Sequence, residues 1–88
     1  MSNKSEVVQS LVGMITEVVG DEFFDIEASS TFRDDLAFQS IQFVALATLI
    51  QERWTDLDFV GWFGTKPLPE IVALKVGDVA DFIVASVN

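Results

Sequence analysis

The chain has 88 residues, half of them hydrophobic, with a formal net charge of −9 and neither cysteine nor histidine. We expect one domain spanning residues 1–88, held by close helix packing, because no disulfide or thiolate metal site can form. The acidic balance argues against nucleic acid as a partner, since phosphates require Lys and Arg. No signal peptide or membrane-spanning run is evident, so we expect a cytoplasmic protein.

Residues 3 to 19 predict a first helix, because aliphatic residues recur at helical spacing along one stripe. Asn3 followed by Glu6 resembles a capping box, and Gly20 is a typical residue for the end of a helix. The predicted inward stripe comprises Val7, Val8, Leu11, Val12, Ile15, Val18 and Val19. This helix is interpreted as structural.

A long connection, residues 21 to 38, follows the first helix. Loops of this length are usually functional or fixed by their own side chains. We predict a strap across the bundle, carried by Phe23, Phe24, Ile26, Phe32 and Leu36. The loop also contains the carboxylates of Asp21, Glu22, Asp25 and Glu27. Their spacing lacks the EF-hand pattern, so a solvated acidic loop is favoured over a calcium site.

The second helix is predicted from Ser40 to about Trp54. Ser40 lies at the loop–helix junction, where local sequence alone favours the role of N-cap. Phe43 and Ala45 are placed at the margins of the inward face. That face is predicted to comprise Ile41, Val44, Leu46, Ala47, Leu49 and Ile50.

Residues 55 to 66 combine large apolar side chains with glycine and aspartate. We favour a segment that folds back to cover the core. In the alternative, Trp62 and Phe63 widen an apolar cleft for a long or bulky acyl chain. Pro69 is expected to start a short helix through Leu74.

The last helix is predicted from about Val76 to Val87, with Asp78 favouring its first turn through the helix dipole. Its predicted inward residues are Val76, Val79, Ala80, Ile83 and Val87.

Two segments carry a resemblance to acyl carrier proteins. The run TFRDDLAFQSI, residues 31–41, is similar to the family's prosthetic-group segment, in which F-x-x-D-L leads into G-x-D-S-L. The matching residues are Phe32, Asp35, Leu36, Ser40 and Ile41. Ala37 replaces the family's glycine, and Gln39 replaces the aspartate before the serine. Residues 76–83, VGDVADFI, resemble the closing helix T-V-G-D-x-x-x-Y-I, with Lys75 in the threonine's place.

The resemblance implies an all-α, right-handed four-helix bundle of three longer helices and one short one, with a long loop between the first two. It also implies that Ser40 carries 4′-phosphopantetheine from coenzyme A, whose thiol holds acyl groups as thioesters. The protein would then not be an enzyme and would hold no metal. Asp34 and Asp35 are adjacent carboxylates without a supporting nucleophile, acid or oxyanion site, which argues against glycosidase-like chemistry.

The implied partners are a phosphopantetheinyl transferase and enzymes that load, elongate or transfer acyl groups through basic or mixed polar-apolar patches. The residues expected to face them are Asp34, Asp35, Gln39, Ile41, Gln42, Phe43, Ala45 and Glu52. This set is nearly neutral along the second helix, where the family typically shows carboxylates. The neutral second helix and the aromatic segment at residues 55 to 66 therefore suggest a specialised carrier. We also expect a discrete carrier, because the chain starts at Met1 and ends just after the last helix, and we expect it to be a monomer. The alternative is an unmodified interaction module that keeps the fold while Ala37 and Gln39 prevent attachment.

Overall fold

The computed structural model describes residues 3–20 and 26–87, and the secondary structure of these ranges is helical. Their five helices are α1 (Lys4–Val19), α2 (Ser40–Arg53), α3 (Phe59–Gly64), α4 (Leu68–Val72) and α5 (Val76–Val87). Pairing of the β type in these ranges is limited to one isolated bridge between Thr31 and Lys75. The predicted all-α class is confirmed. The short helix α3 is an addition to the four that were predicted.

Helix α1 forms as its sequence predicts. The side chain of Asn3 accepts a hydrogen bond from the Glu6 N–H at 2.9 Å, which satisfies one free donor of the first turn. Gly20 ends the helix in the left-handed conformation, with φ of 74°. One stripe is fully buried and packs against α2 and α5. It comprises Val7, Leu11 and Ile15.

The connection before α2 crosses the core as the predicted strap. Phe32 and Leu36 are buried, and Ile26 is partly buried against the same core. The Phe32 N–H donates to the carbonyl of Leu74 at 3.1 Å, which ties the strap to the chain just before α5. The remaining strap and carboxylate predictions, for residues 21–25, lie outside the described residues.

Helix α2 differs from its prediction in two respects. Its N-cap is Gln39, whose N–H donates to Oε1 of Gln42 at 2.7 Å, so Ser40 does not have the N-cap role that local sequence alone favours. Leu46, Ala47 and Ile50 are buried as expected, but Ile41 and Val44 are exposed and do not belong to the inward face. Apolar residues surround much of this helix, and periodicity therefore does not single out the buried side.

The segment between α2 and α4 contributes to the core, as predicted. Leu57 and Phe59 are buried. Asp58 caps α3 by accepting the Gly61 N–H at 2.9 Å. Trp62 is half-buried and contacts α5. Its ring stacks on Phe82 with centroids 4.3 Å apart and an interplanar angle of 10°. Trp62 thus joins α3 to α5.

Helices α4 and α5 are joined closely to the strap. Pro69 lies in the first turn of α4, as predicted. The Gly77 N–H donates to the carbonyl of Ala28 at 2.8 Å. A Cβ at position 77 would lie 2.9 Å from that oxygen, so glycine permits the approach. Val87 was predicted to face inward, but it is exposed at the end of α5.

Asp78 provides a hydrogen bond at the N-terminus of α5, where Lys75 replaces the threonine of the similar motif. Asp78 Oδ2 accepts the N–H of Lys75 at 3.0 Å. The carboxylate thus combines the expected dipole effect with a direct hydrogen bond to the residue before the helix. None of the helices in the described ranges is long and apolar enough to cross a membrane.

Candidate functional site

Ser40 is the first residue of α2, and it is exposed. Because Gln39 occupies the N-cap position, the serine hydroxyl is not needed to cap the helix. Within the described ranges, no protein group forms a hydrogen bond with this hydroxyl. Ser40 therefore presents a primary alcohol at the positive end of a 14-residue helix.

The turn that leads to Ser40 is fixed by Thr31 and Asp35. The Asp35 carboxylate accepts the Thr31 N–H at 2.8 Å, and the Asp35 N–H donates to the Thr31 hydroxyl at 3.2 Å. These reciprocal bonds satisfy backbone groups that a loop would otherwise leave to water. The match of Asp35 to the family motif therefore has a local structural reason.

Ala37 lies in the left-handed region with φ of 52°, a conformation that favours glycine. Its neighbours explain why the chain adopts it, because Leu36 and Phe38 are both buried and anchor the turn on either side. At this position the sequence departs from the family's glycine, while the backbone keeps a conformation that suits glycine.

An aromatic cluster lies beneath this turn. The ring of Phe38 is 5.2 Å from that of Phe32 and 5.1 Å from that of Phe43, both in edge-to-face arrangements. Phe43 continues to Phe63 of α3 at 5.0 Å. The cluster connects the strap, α2 and α3, and such aromatic pairs contribute about 0.5–1.5 kcal/mol each beyond their buried area.

An open groove of about 1640 Å³ begins at Ser40 and runs between α2 and helices α3 and α4. Buried and half-buried apolar side chains form its floor: Phe38, Phe43, Ala47, Phe59, Phe63 and Ile71. Exposed aliphatic side chains form its rim: Ile41, Val44, Val60, Leu68 and Val72. Two charged residues line it, Arg33 and Glu52.

The amino-acid sequence is similar to that of a known protein. The chain is 31% identical over 83 residues to an acyl carrier protein of Acidothermus cellulolyticus, a match that covers 92% of this chain and 88% of that protein. The chain belongs to the acyl carrier protein family. No family model matches the chain, and no solved structure does.

Among the residues expected to face partners of this family member, half line the groove beside Ser40. These are Gln39, Ile41, Phe43 and Glu52. Phe43 is half-buried within the aromatic cluster, so its ring belongs to the groove floor and not to an outer margin.

The other half do not line the groove. Asp34 and Ala45 are exposed elsewhere, Asp35 is held in the turn with Thr31, and Gln42 is used in the helix cap. Val44 was predicted to lie on the inward face of α2, and its position on the rim was therefore not predicted. Val60 and Leu68 were also not predicted as rim residues. Their positions next to Gly61 and between Pro67 and Pro69 could have indicated apolar side chains at the surface.

Proposed function

We propose that this protein is an acyl carrier in which Ser40 bears 4′-phosphopantetheine and the thiol of that arm holds acyl groups as thioesters. The observation that carries the proposal is the position of Ser40. Its hydroxyl is exposed, is not used by the described fold, and lies at the mouth of an apolar groove. The 31% identity to an acyl carrier protein over most of the chain supports the same assignment.

Attachment requires the Ser40 oxygen to displace a leaving group at phosphorus. In coenzyme A, the bond from the oxygen to the β-phosphorus forms while the pyrophosphate linkage breaks, and adenosine 3′,5′-bisphosphate leaves. The hydroxyl proton passes to the transferase. The product is a phosphodiester at the start of α2, where free N–H groups and the helix dipole favour negative charge. Arg33 lines the same groove and supplies a positive charge in this otherwise acidic protein.

The groove supports a sheltering role for an attached acyl chain. Its volume of about 1640 Å³ exceeds the roughly 300–1,000 Å³ of ordinary small-molecule sites. The floor is lined by aromatic and aliphatic side chains, which favour removal of a hydrocarbon chain from water by about 0.8 kcal/mol per CH₂ group. The apolar floor would thus cover part of the cargo, and a partner enzyme performs the chemistry.

The cargo is proposed to be an intermediate of fatty acid, lipid or polyketide-type biosynthesis. A specialised pathway is favoured over general fatty acid synthesis, because the surface of α2 from Ser40 to Gln51 contains no charged residue. The test is to supply the loaded protein to a general fatty acid synthase beside a housekeeping carrier. Slower elongation on this protein is expected, and equal rates would remove the case for specialisation.

Attachment itself is tested by intact mass after incubation with coenzyme A and several phosphopantetheinyl transferases. The expected gain is about 340 Da, set by the covalent group added. Ser40→Ala is expected to show no gain. Ser5→Ala is a matched control, because Ser5 is also exposed in the first turn of a helix, and it should be modified like the unaltered protein.

A second candidate is an unmodified interaction module with the same fold. It is motivated by Gln39, which replaces the aspartate before the serine with a neutral residue and is committed to capping α2. Lack of a mass gain with every transferase would favour this module. A mass gain in the unaltered protein that is absent from Ser40→Ala would exclude the unmodified module.

A further inference from the structure

Exposed aliphatic side chains are concentrated on one face of the described protein. Ile41, Val44, Val60 and Leu68 are 74%, 64%, 60% and 68% exposed, and Val72 is also exposed. All five line the rim of the groove that starts at Ser40. Contiguous exposed apolar surface on a small protein marks an interaction site, whereas isolated exposed residues do not.

The residues that line the groove carry no net formal charge, although the protein as a whole is strongly acidic. Arg33 and Glu52 are the charged residues that line the groove, and their formal charges cancel. The net charge of −9 must therefore come from residues outside the groove. Exposed carboxylates lie, for example, on α5 at Asp78 and Asp81. A basic docking surface would find only the carboxylate of Glu52 among the residues that line the groove, and Arg33 offsets its charge.

We propose that the enzymes that dock over Ser40, the transferase among them, bind the rim through aliphatic side chains on an uncharged surface. This inference rests on the proposed function and specifies the partner chemistry. Apolar burial supplies the affinity in such an interface, and electrostatic steering contributes little to the rate of association. Binding should then depend only weakly on ionic strength.

Two other occupants of the rim are less consistent with the structure. A second copy would bring together two molecules that each carry a net charge of −9, which opposes association. An acyl chain on the arm would contact the half-buried floor of the groove, which includes Phe43 and Phe63, and would leave the rim free. The rim side chains stand more exposed than the floor and remain accessible to an enzyme.

The test measures docking separately from chemistry. The Ser40→Ala protein, which docks without reacting, is titrated calorimetrically with a phosphopantetheinyl transferase and coenzyme A at 0.1 M and 1 M NaCl. This change shortens the Debye length from about 10 Å to about 3 Å. The Kd is expected to change by less than about threefold, because charge pairs contribute little.

Variants of the rim locate the contact. Ile41→Gln or Leu68→Gln is introduced into the Ser40→Ala protein. Each is expected to raise the Kd for the transferase about tenfold, which corresponds to about 1.4 kcal/mol. Val87→Gln is the matched control, because Val87 is an exposed aliphatic residue outside the groove, and it should leave the Kd unchanged. Circular dichroism of each variant checks that the helices are retained.

Two results would overturn the docking inference alone. One is binding that weakens tenfold or more at 1 M NaCl while the rim variants have no effect. The other is a stable dimer of the unaltered protein that Ile41→Gln dissociates, which would assign the rim to a second copy. Salt-independent binding that needs the rim, without any mass gain on Ser40, would instead defeat the proposed function and leave the docking inference standing.

Discussion

Replacing Ala37 with glycine tests whether the turn before Ser40 is under backbone strain. Ala37 has φ of 52°, and its neighbours Leu36 and Phe38 are both buried. The turn therefore cannot relax to a negative φ without moving one of two core side chains. Glycine adopts the same conformation without the steric contact between Cβ and the backbone.

The size of the effect follows from two opposing terms. Left-handed backbone costs an L-residue about 1–2 kcal/mol. Glycine loses about 0.5–1 kcal/mol more conformational free energy than alanine on folding. Ala37→Gly is therefore expected to raise the free energy of unfolding by about 0.5–1 kcal/mol. In a domain of this size the Tm should rise by about 2–8 °C.

Urea denaturation followed by circular dichroism at equal m-values measures this difference. Ala45→Gly is the matched control, because Ala45 is exposed inside α2, where glycine loses about 1 kcal/mol relative to alanine. The two substitutions are chemically identical and should have opposite signs. If Ala37→Gly destabilises the protein as much as Ala45→Gly does, the argument from strain is refuted.

Two further pairs of variants probe the fold and the attachment residue. Gly77→Ala should lower the free energy of unfolding by about 1–3 kcal/mol, because its Cβ would press on the Ala28 carbonyl. Gly13→Ala, which meets nothing within 4 Å, should raise it by about 1 kcal/mol, and equal urea midpoints for the two would contradict the close approach. Ser40→Ala should change stability by less than about 0.5 kcal/mol in thermal unfolding, since its hydroxyl does not cap α2. Asn3→Ala should cost about 1 kcal/mol, and a comparable loss in Ser40→Ala would restore the capping role.

Much of the fold could be predicted from capping residues and from the spacing of apolar side chains. Helix α1 has an N-cap at Asn3, a stop at Gly20 and a single aliphatic stripe, so its start, its end and its buried side are all encoded within about 18 residues. The strap was predicted because Phe32 and Leu36 are large apolar residues in a long loop, and both are buried. Where the periodicity is clean, the burial follows it.

The buried face of α2 could not be predicted in the same way. Its sequence is apolar on several sides, so Ile41 and Val44 fit a helical core pattern as well as Leu46 does. Burial there depends on where α1 and α3 pack, which is a property of the whole domain. The exposed residues are the ones that form the groove rim, so the error in the prediction falls on the candidate functional surface.

The predicted start of α2 at Ser40 is confirmed, but its N-cap is the preceding residue, Gln39. Serine is a preferred N-cap residue and glutamine is not, and propensity therefore favoured Ser40 over Gln39. The hydrogen bond from the Gln39 N–H to Gln42 supports the other assignment. A sequence rule that considers the cap residue alone does not register this partner three residues later.

The aromatic segment was understood only in part. Phe59 enters the core and Phe63 lines the groove, whereas Trp62 turns away to stack on Phe82. The two interpretations offered for this segment, core cover and widening of a cleft, therefore apply to different neighbouring residues. In a helix as short as α3, adjacent side chains point about 100° apart, and a single role for the whole segment was too simple.

The most direct test of the carrier assignment is the mass of the protein as it occurs in its source cells. The intact protein would be purified without added transferase, and the peptide containing Ser40 would be sequenced by tandem mass spectrometry. We predict a phosphopantetheine group of about 340 Da on Ser40, alone or extended by an acyl group. A protein that is uniformly unmodified at Ser40 in cells with an active transferase would contradict this prediction.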